Sequence, residues 1–276
     1  GFRLARYLRR SPGYPANKFR PDLQAYREQS RDFDAVINAY EPHDPVYQYL
    51  QQHGGVVLLR GRGIVASRIV QRLYETRAIN PNIQIVHLMR SPKPQGNKFR
   101  QAQRQVDNQY EFQPFNWPKA CWGGELRDLL ENAPPETRRQ FLTDWGGTTT
   151  ADRRDWSNMV EEGVTQGWYR IVFGEVDRVE RNGLHTLTYI REMGLTQLMP
   201  LQADFIIDAT GLDANANASP LLKDLVEMYQ LPLNYLGRFA VANDFEVTAM
   251  RNQSGRLYTA GAITLGGPYA PVDSFL

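Results

Sequence analysis

The sequence predicts an α/β fold, a parallel sheet with flanking helices, and three observations point to it. An apolar run, Val56-Val57-Leu58-Leu59-Arg60, passes into Gly61-Arg62-Gly63 and then into a stretch with Val65, Ile69 and Leu73 at helical spacing. Ile83 to Met89 is the next strand candidate. Ala203-Asp204-Phe205-Ile206-Ile207-Asp208 reads as a buried strand and runs into Ala209-Thr210-Gly211, whose small residues permit close backbone approach at a strand end.

The glycine turn carries the most chemistry. Strand, glycine turn and helix in that order make a Rossmann-like cradle for a dinucleotide pyrophosphate. Gly61 allows the tight turn, Gly63 lets backbone approach the pyrophosphate, and the small Ala66 lets helix pack on strand. The candidate cofactor-binding stretch is therefore Gly61, Arg62, Gly63, Ile64, Val65, Ala66 and Ser67, with the amides and positive dipole end of the helix pointing at the phosphates. The competing reading is tight strand–helix packing with no ligand. After the second strand come Arg90 and Ser91, and Met89 to Arg104 holds Arg90, Lys93, Lys98, Arg100 and Arg104 with no acid. Arg90 lies close to the roughly 20-residue spacing of the sugar-reading position, so Arg90 and Ser91 point to a 2'-phosphate and hence to NADP(H).

The remaining elements follow in order. Residues 1 to about 40 read as a surface-hugging entry segment with a short helical pattern around Phe33, Val36, Ile37 and Tyr40. Asp44-Pro45 opens a short helix that stops at His53-Gly54-Gly55. Gln95 to Trp122 matches neither period and reads as a long loop, with helices at Glu125 to Leu130, Glu136 to Leu142 and roughly Arg154 to Glu162. Trp117, Trp122, Trp145, Trp156 and Trp168 read as core aromatics before cofactor walls. Tyr169 to Phe173, Glu175 to Glu180 and Leu184 to Ile190 read as strands of a small antiparallel β-meander, the last two joined through Asn182-Gly183. Ser219-Pro220 caps a helix, and Arg256 to Ala260 is a final strand opening onto Gly261-Ala262.

Bulk properties exclude several classes. A chain of 276 residues, 42% hydrophobic and 22% charged, has the composition of a globular protein. Its net charge of +2 supplies no global field to recruit nucleic acid or an anionic membrane. The basic opening, Arg3, Arg6, Arg9, Arg10, Lys18 and Arg20, reads as a solvated segment in preference to an RNA-binding arm. No apolar run approaches a membrane span. The single Cys121 excludes an intrachain disulfide and fits a reducing compartment, so a cytoplasmic location is expected. His43, His53, His87 and His185 fall in no ligand spacing, and no metal is expected. The first residue is not Met, and the chain is expected to be a fragment of a longer protein.

Three landmarks stand in order: Gly61 to Ser67, Asp208-Ala209-Thr210-Gly211, and Leu257-Tyr258-Thr259-Ala260-Gly261-Ala262. Together they resemble the two-dinucleotide-domain flavoproteins, and most of all the NADPH-dependent flavin monooxygenases, including the lysine and ornithine N-hydroxylating type. The resemblance spans about residues 50 to 276. It implies hydride transfer from NADPH to FAD, with Gly61, Gly63 and Ala66 in the pyrophosphate loop and Arg90 and Ser91 at the 2'-phosphate. Thr210 and Gly211 would form the return segment towards a flavin domain, and the Gly261 turn would line FAD. It further implies an entry segment with partial flavin-domain contacts over 1–50, an NADP(H)-binding domain with a helical insertion over 51–202, and a return segment with part of an FAD-binding domain over 203–276. The α/β fold would then include part of a flavin-domain sheet. No second glycine fingerprint precedes residue 50, and Ala262 stands where many relatives carry an acid, so FAD is expected in the full-length protein. The expected partner is a small-molecule substrate, without nucleic acid or membrane. No general acid, base or nucleophile is identified, which keeps a second reading open: a non-catalytic NAD(P)-binding sensor or interaction module.

Overall fold

The computed structural model describes residues 21–91, 124–145, 154–192, 195–211, 215–260, 262–264 and 266–267. They fall into two compact units, one built from 21–91, 154–192 and 195–211, the other from 124–145 and 215–267. The described helices are α1 (Pro21–Ser30), α2 (Asp44–His53), α3 (Ile64–Arg77), α4 (Gly124–Asn132), α5 (Pro135–Trp145), α6 (Arg154–Gln166) and α7 (Pro220–Tyr229). None is long and apolar enough to cross a membrane.

The first unit is built on a seven-stranded sheet of β1 (Val36–Asn38), β2 (Gly55–Arg60), β3 (Ile83–Met89), β4 (Tyr169–Asn182), β5 (His185–Glu192), β6 (Leu198–Ala203) and β7 (Phe205–Asp208). Its order is β1-β7-β2-β3-β4-β5-β6. The first five strands in that order run parallel, and β4, β5 and β6 form an antiparallel meander. Parallel strands are covered on both faces, which is why β2 and β3 read as near-continuous apolar runs. Val57 and Leu59 face one way, into a core with Val46 and Leu50 of α2, Ala66, Ile69, Val70 and Leu73 of α3, and Met159 and Val160 of α6. Leu58 faces the other way, onto Leu23 and Tyr26 of α1 and onto Val179, Ile190 and Leu201 of the meander. The result is a Rossmann-like α/β sandwich with helices on one face and α1 plus the meander on the other.

Four elements differ from the sequence reading. Val36 to Asn38 form a strand where a helical pattern was expected, because Val36, Ile37 and Asn38 pair in register with Ile206, Ile207 and Asp208. Phe33 and Tyr40, the outer members of that pattern, stay exposed. The run from Ala203 to Asp208 breaks at Asp204. There the carboxylate accepts the Val56 N–H at 2.7 Å and meets His185 Nδ1 at 2.7 Å, turning the chain from meander to parallel sheet. Tyr169 to Asn182 is one strand with a register shift between Val176 and Arg178. Near the C-terminus an isolated bridge, Glu246 to Tyr258, replaces the expected strand. The Asn182-Gly183 hairpin is present, with Gly183 at φ +63°.

In the second unit, Arg138 of α5 donates to the Leu130 and Ala133 carbonyls at 2.9 and 3.1 Å, satisfying acceptors at the end of α4. Leu222, Leu225 and Val226 of α7 pack on Ala216, Leu231, Phe239 and Val247. The buried Glu246 carboxylate accepts from Nε of Arg251 at 2.8 Å and from a second nitrogen of the same guanidinium. In the first unit, Trp168 is buried, with the Arg77 guanidinium over its ring at 4.5 Å. The expected loop at 95–122 lies outside the described residues, as do Trp117, Trp122 and Gly261 and the side chains of Trp145 and Trp156.

Candidate functional site

The strand order reverses at β2: β3 and β4 follow on one side, and β7 lies on the other. In open α/β sheets the crevice beyond the carboxyl ends of the strands at such a reversal is where ligands bind. The glycine turn after β2 and the segment after β7 meet there. Ala209 N–H donates to the Arg60 carbonyl at 2.7 Å, and Gly61 N–H donates to the Leu88 carbonyl at 3.0 Å. Gly61 has φ +125°, and a Cβ on it would lie 2.6 Å from the Ala209 carbonyl oxygen. Only glycine fits this contact between the two strand exits.

Gly63 precedes α3 as its N-cap, with extended backbone and no side-chain cap, and the first turn of α3 holds no acid. The helix N-terminus, with its partial positive charge, is thus left open to an anion. Ile64 opens the helix, Val65 is half-buried against the core, and Ala66 is fully buried beneath it. Ser67 is also buried, and its N–H donates to the Gly63 carbonyl at 3.2 Å. The Arg62 guanidinium donates to the Ser91 carbonyl, tying the glycine turn to the exit of β3. Arg90 is exposed, with Nε 3.3 Å from a carboxylate oxygen of Glu175. An acid absent from the sequence around Arg90 therefore arrives from the neighbouring strand, β4. Lys93, Lys98, Arg100 and Arg104 lie outside the described residues.

The β7 exit is held by its own carboxylate. Thr210 donates to Asp208 Oδ1 through its N–H at 2.8 Å and its hydroxyl at 2.5 Å. Asp208 Oδ2 meets Arg60 at 2.8 Å, and the same guanidinium meets Asp22 of α1 at 2.7 Å. Burial opposes the Arg60 charge, but Asp208 and Asp22 outweigh it and hold the group above its ordinary range. Gly211 adopts φ +97° with no heavy atom within 4 Å of where a Cβ would lie.

Beneath the turn lies His87, fully buried on the helix-facing side of β3. Its Nε2 is 2.5 Å from the Gly61 carbonyl oxygen and its Nδ1 is 2.5 Å from the Tyr169 hydroxyl. Burial pushes its pKa down to about 4, against the pull of the Gly61 carbonyl and with help from the nearby Arg62 charge. Local sequence pattern assigns no site role to His87, Tyr169, Arg60 or Asp208. The available signal was one polar residue inside the apolar run Ile85-Val86-His87-Leu88-Met89, since buried polar groups are hydrogen-bonded.

By sequence the chain matches no family model and no curated protein. By structure it is similar to the reduced form of an ornithine hydroxylase from Pseudomonas aeruginosa, with TM-score 0.61 and 14% identity, covering 91% of this chain and 56% of that one. The chain shares its fold with part of each hydroxylase and monooxygenase structure it resembles. An L-lysine 6-monooxygenase from Pseudomonas syringae gives TM-score 0.60 at 15% identity, over 90% of this chain and 55% of that one. An ornithine N-hydroxylase from Kutzneria sp. 744, solved with reduced FAD, NADP+ and L-ornithine, gives 0.50 at 18% identity, over 74% and 44%. The chain spans about half the length of these structures.

Within this fold, the glycine turn, Ser91 and Thr210 come together at the carboxyl ends of the strands, while Arg90 faces Glu175 at the surface. The donor set suits a diphosphate: an uncapped helix N-terminus, a side-chain-free Gly63, and Arg62 beside them. Among the described residues no group of His, Cys, Asp and Glu is placed to hold a metal ion.

Proposed function

We propose that this chain is the NADP(H)-binding part of an FAD-dependent oxidoreductase, of the monooxygenase kind, acting on a small molecule in the cytoplasm. The observation that carries the proposal is the contact of Gly61 with Ala209 where the strand order reverses, directly before an uncapped 14-residue helix. The likeness in fold to enzymes solved with FAD and NADP+ supports the same reading. In this proposal residues 51–202 bind NADP(H) and 203–276 return to a flavin-binding domain.

Each residue then has a task. The amides at the start of α3 hold the pyrophosphate, with Gly63 admitting it and Ala66 keeping the helix against β2. Arg62 braces the turn against the β3 exit, and Arg90 with Ser91 receives the 2'-phosphate. Thr210 and Gly211 line the far wall. When bound, NADPH supplies a hydride and FAD accepts it; the protein contributes position and charge.

In the full-length protein, calorimetry is expected to show tighter binding of NADPH than of NADH, and Arg90→Ala is expected to erase that preference. Equal affinity in the unaltered protein would refute the sugar-phosphate assignment. Rapid mixing with NADPH is expected to bleach the yellow flavin absorbance. A colourless protein that binds NADPH would instead be a sensor.

A further inference from the structure

Resting on the reading that the turn at Gly61 holds a pyrophosphate, we infer that His87 is a positioning residue that aims the Arg62 amide of that turn at the phosphates. The donor accounting fixes its form. A carbonyl oxygen accepts only, so the 2.5 Å contact between Nε2 and the Gly61 oxygen places the proton on Nε2. A neutral ring then has an accepting Nδ1, and the Tyr169 hydroxyl, 2.5 Å away, donates to it. His87 is fully buried and in register with Leu59, so it sits one residue below the end of β2, under the turn.

The consequence for the turn is geometric. In a trans peptide the C=O of one residue and the N–H of the next point in opposite directions. His87 draws the Gly61 carbonyl inward, into the layer between β3 and the helices, and so directs the Arg62 N–H outward at the mouth of the crevice. Without the imidazole, the Gly61 carbonyl would be a partly buried acceptor lacking this donor, and rotating it towards solvent would turn the Arg62 N–H away from the phosphates. Tyr169 holds the ring in the required tautomer. Gly163 of α6 lets the helix pack closely on the root of the buried Tyr169 side chain, where a Cβ would lie 2.6 Å from the tyrosine Cβ.

The test uses His87→Leu, which fills the space without a donor, and His87→Gln, which restores a donor near Nε2, in the full-length protein. His87→Leu is expected to weaken NADPH and ADP-ribose by about tenfold or more, while adenosine 2'-monophosphate, which has no pyrophosphate, binds unchanged. His87→Gln is expected to stay within about threefold of the unaltered protein. Nitrogen NMR of the imidazole at neutral pH is expected to show a neutral ring protonated on Nε2. A folded His87→Leu that binds NADPH normally, or a ring protonated on Nδ1, overturns the inference. If His87→Leu does not fold, the Gln variant and the tautomer decide. An unaltered protein that binds no NADP(H) would overturn the functional reading itself.

Discussion

Gly61 stands where backbone presses on backbone, and its replacement has no soft neighbour to displace. Gly61→Ala is expected to cost about 2–4 kcal/mol by denaturant unfolding and to abolish NADPH binding, since both φ +125° and the 2.6 Å approach to Ala209 forbid a methyl. Glu175 makes a subtler prediction. It competes with a 2'-phosphate for Arg90, but both side chains are about two-thirds exposed, so Glu175→Gln is expected to tighten NADPH only about two- to fivefold and leave NADH unchanged. His87 carries a pH signature. Its folded pKa, about 4, lies below the unfolded 6.5, so its neutral form favours folding above pH 6.5 and that contribution falls away as pH drops towards 4. The loss is roughly 3 kcal/mol across that window, and acid unfolding of His87→Gln is expected to lack it. Gly61, Gly63 and Ala66 were legible in the sequence because strand, turn and helix are contiguous. His87 was not, since its partners lie 26 and 82 residues away and its role exists only once β2, β3 and β4 are side by side. The pairing of Arg90 with Glu175 was hidden for the same reason.

At the scale of elements, long helices and central strands follow from local pattern, while edges depend on partners. β2, β3 and α3 carry enough apolar residues at the right period to be read alone. β1 has three residues, all buried, and is a strand only because β7 offers it a ladder. β4 reads as two pieces because Gly174 interrupts it, and that glycine is needed where β5 crosses closely: a Cβ would meet the Arg191 carbonyl oxygen at 2.6 Å. The hairpin between β4 and β5 gives a contrast to Gly61. Gly183 has φ +63° and open space around it, so Gly183→Ala is expected to cost only about 1 kcal/mol, from backbone conformation alone, and to leave NADPH affinity unchanged.

For the whole molecule, the candidate site belongs to one of the two compact units. Ligand binding stabilises what it binds, by about 2.7 kcal/mol at a concentration 100 times Kd. Hydrogen exchange under NADPH is therefore expected to slow in β2, β3, β7 and α3 while α7 and the segment around Glu246 are unaffected; slowing spread evenly over both units would count against the site. The sheet that carries the site also sets an order of assembly. β2 lies between β3 and β7, yet Arg60 meets Asp208 across 148 residues of chain. On the ribosome, β2 gains β3 early and lacks β7 until the intervening chain has emerged, leaving an apolar edge open in the meantime. A stalled nascent chain ending at Ala203 is expected to be cut readily by protease in β2, and one long enough to expose Asp208 outside the exit tunnel to resist. The crevice for the nucleotide thus exists only after β7 has been made, and the waiting edge of β2 is what a chaperone would have to cover across the intervening 148 residues.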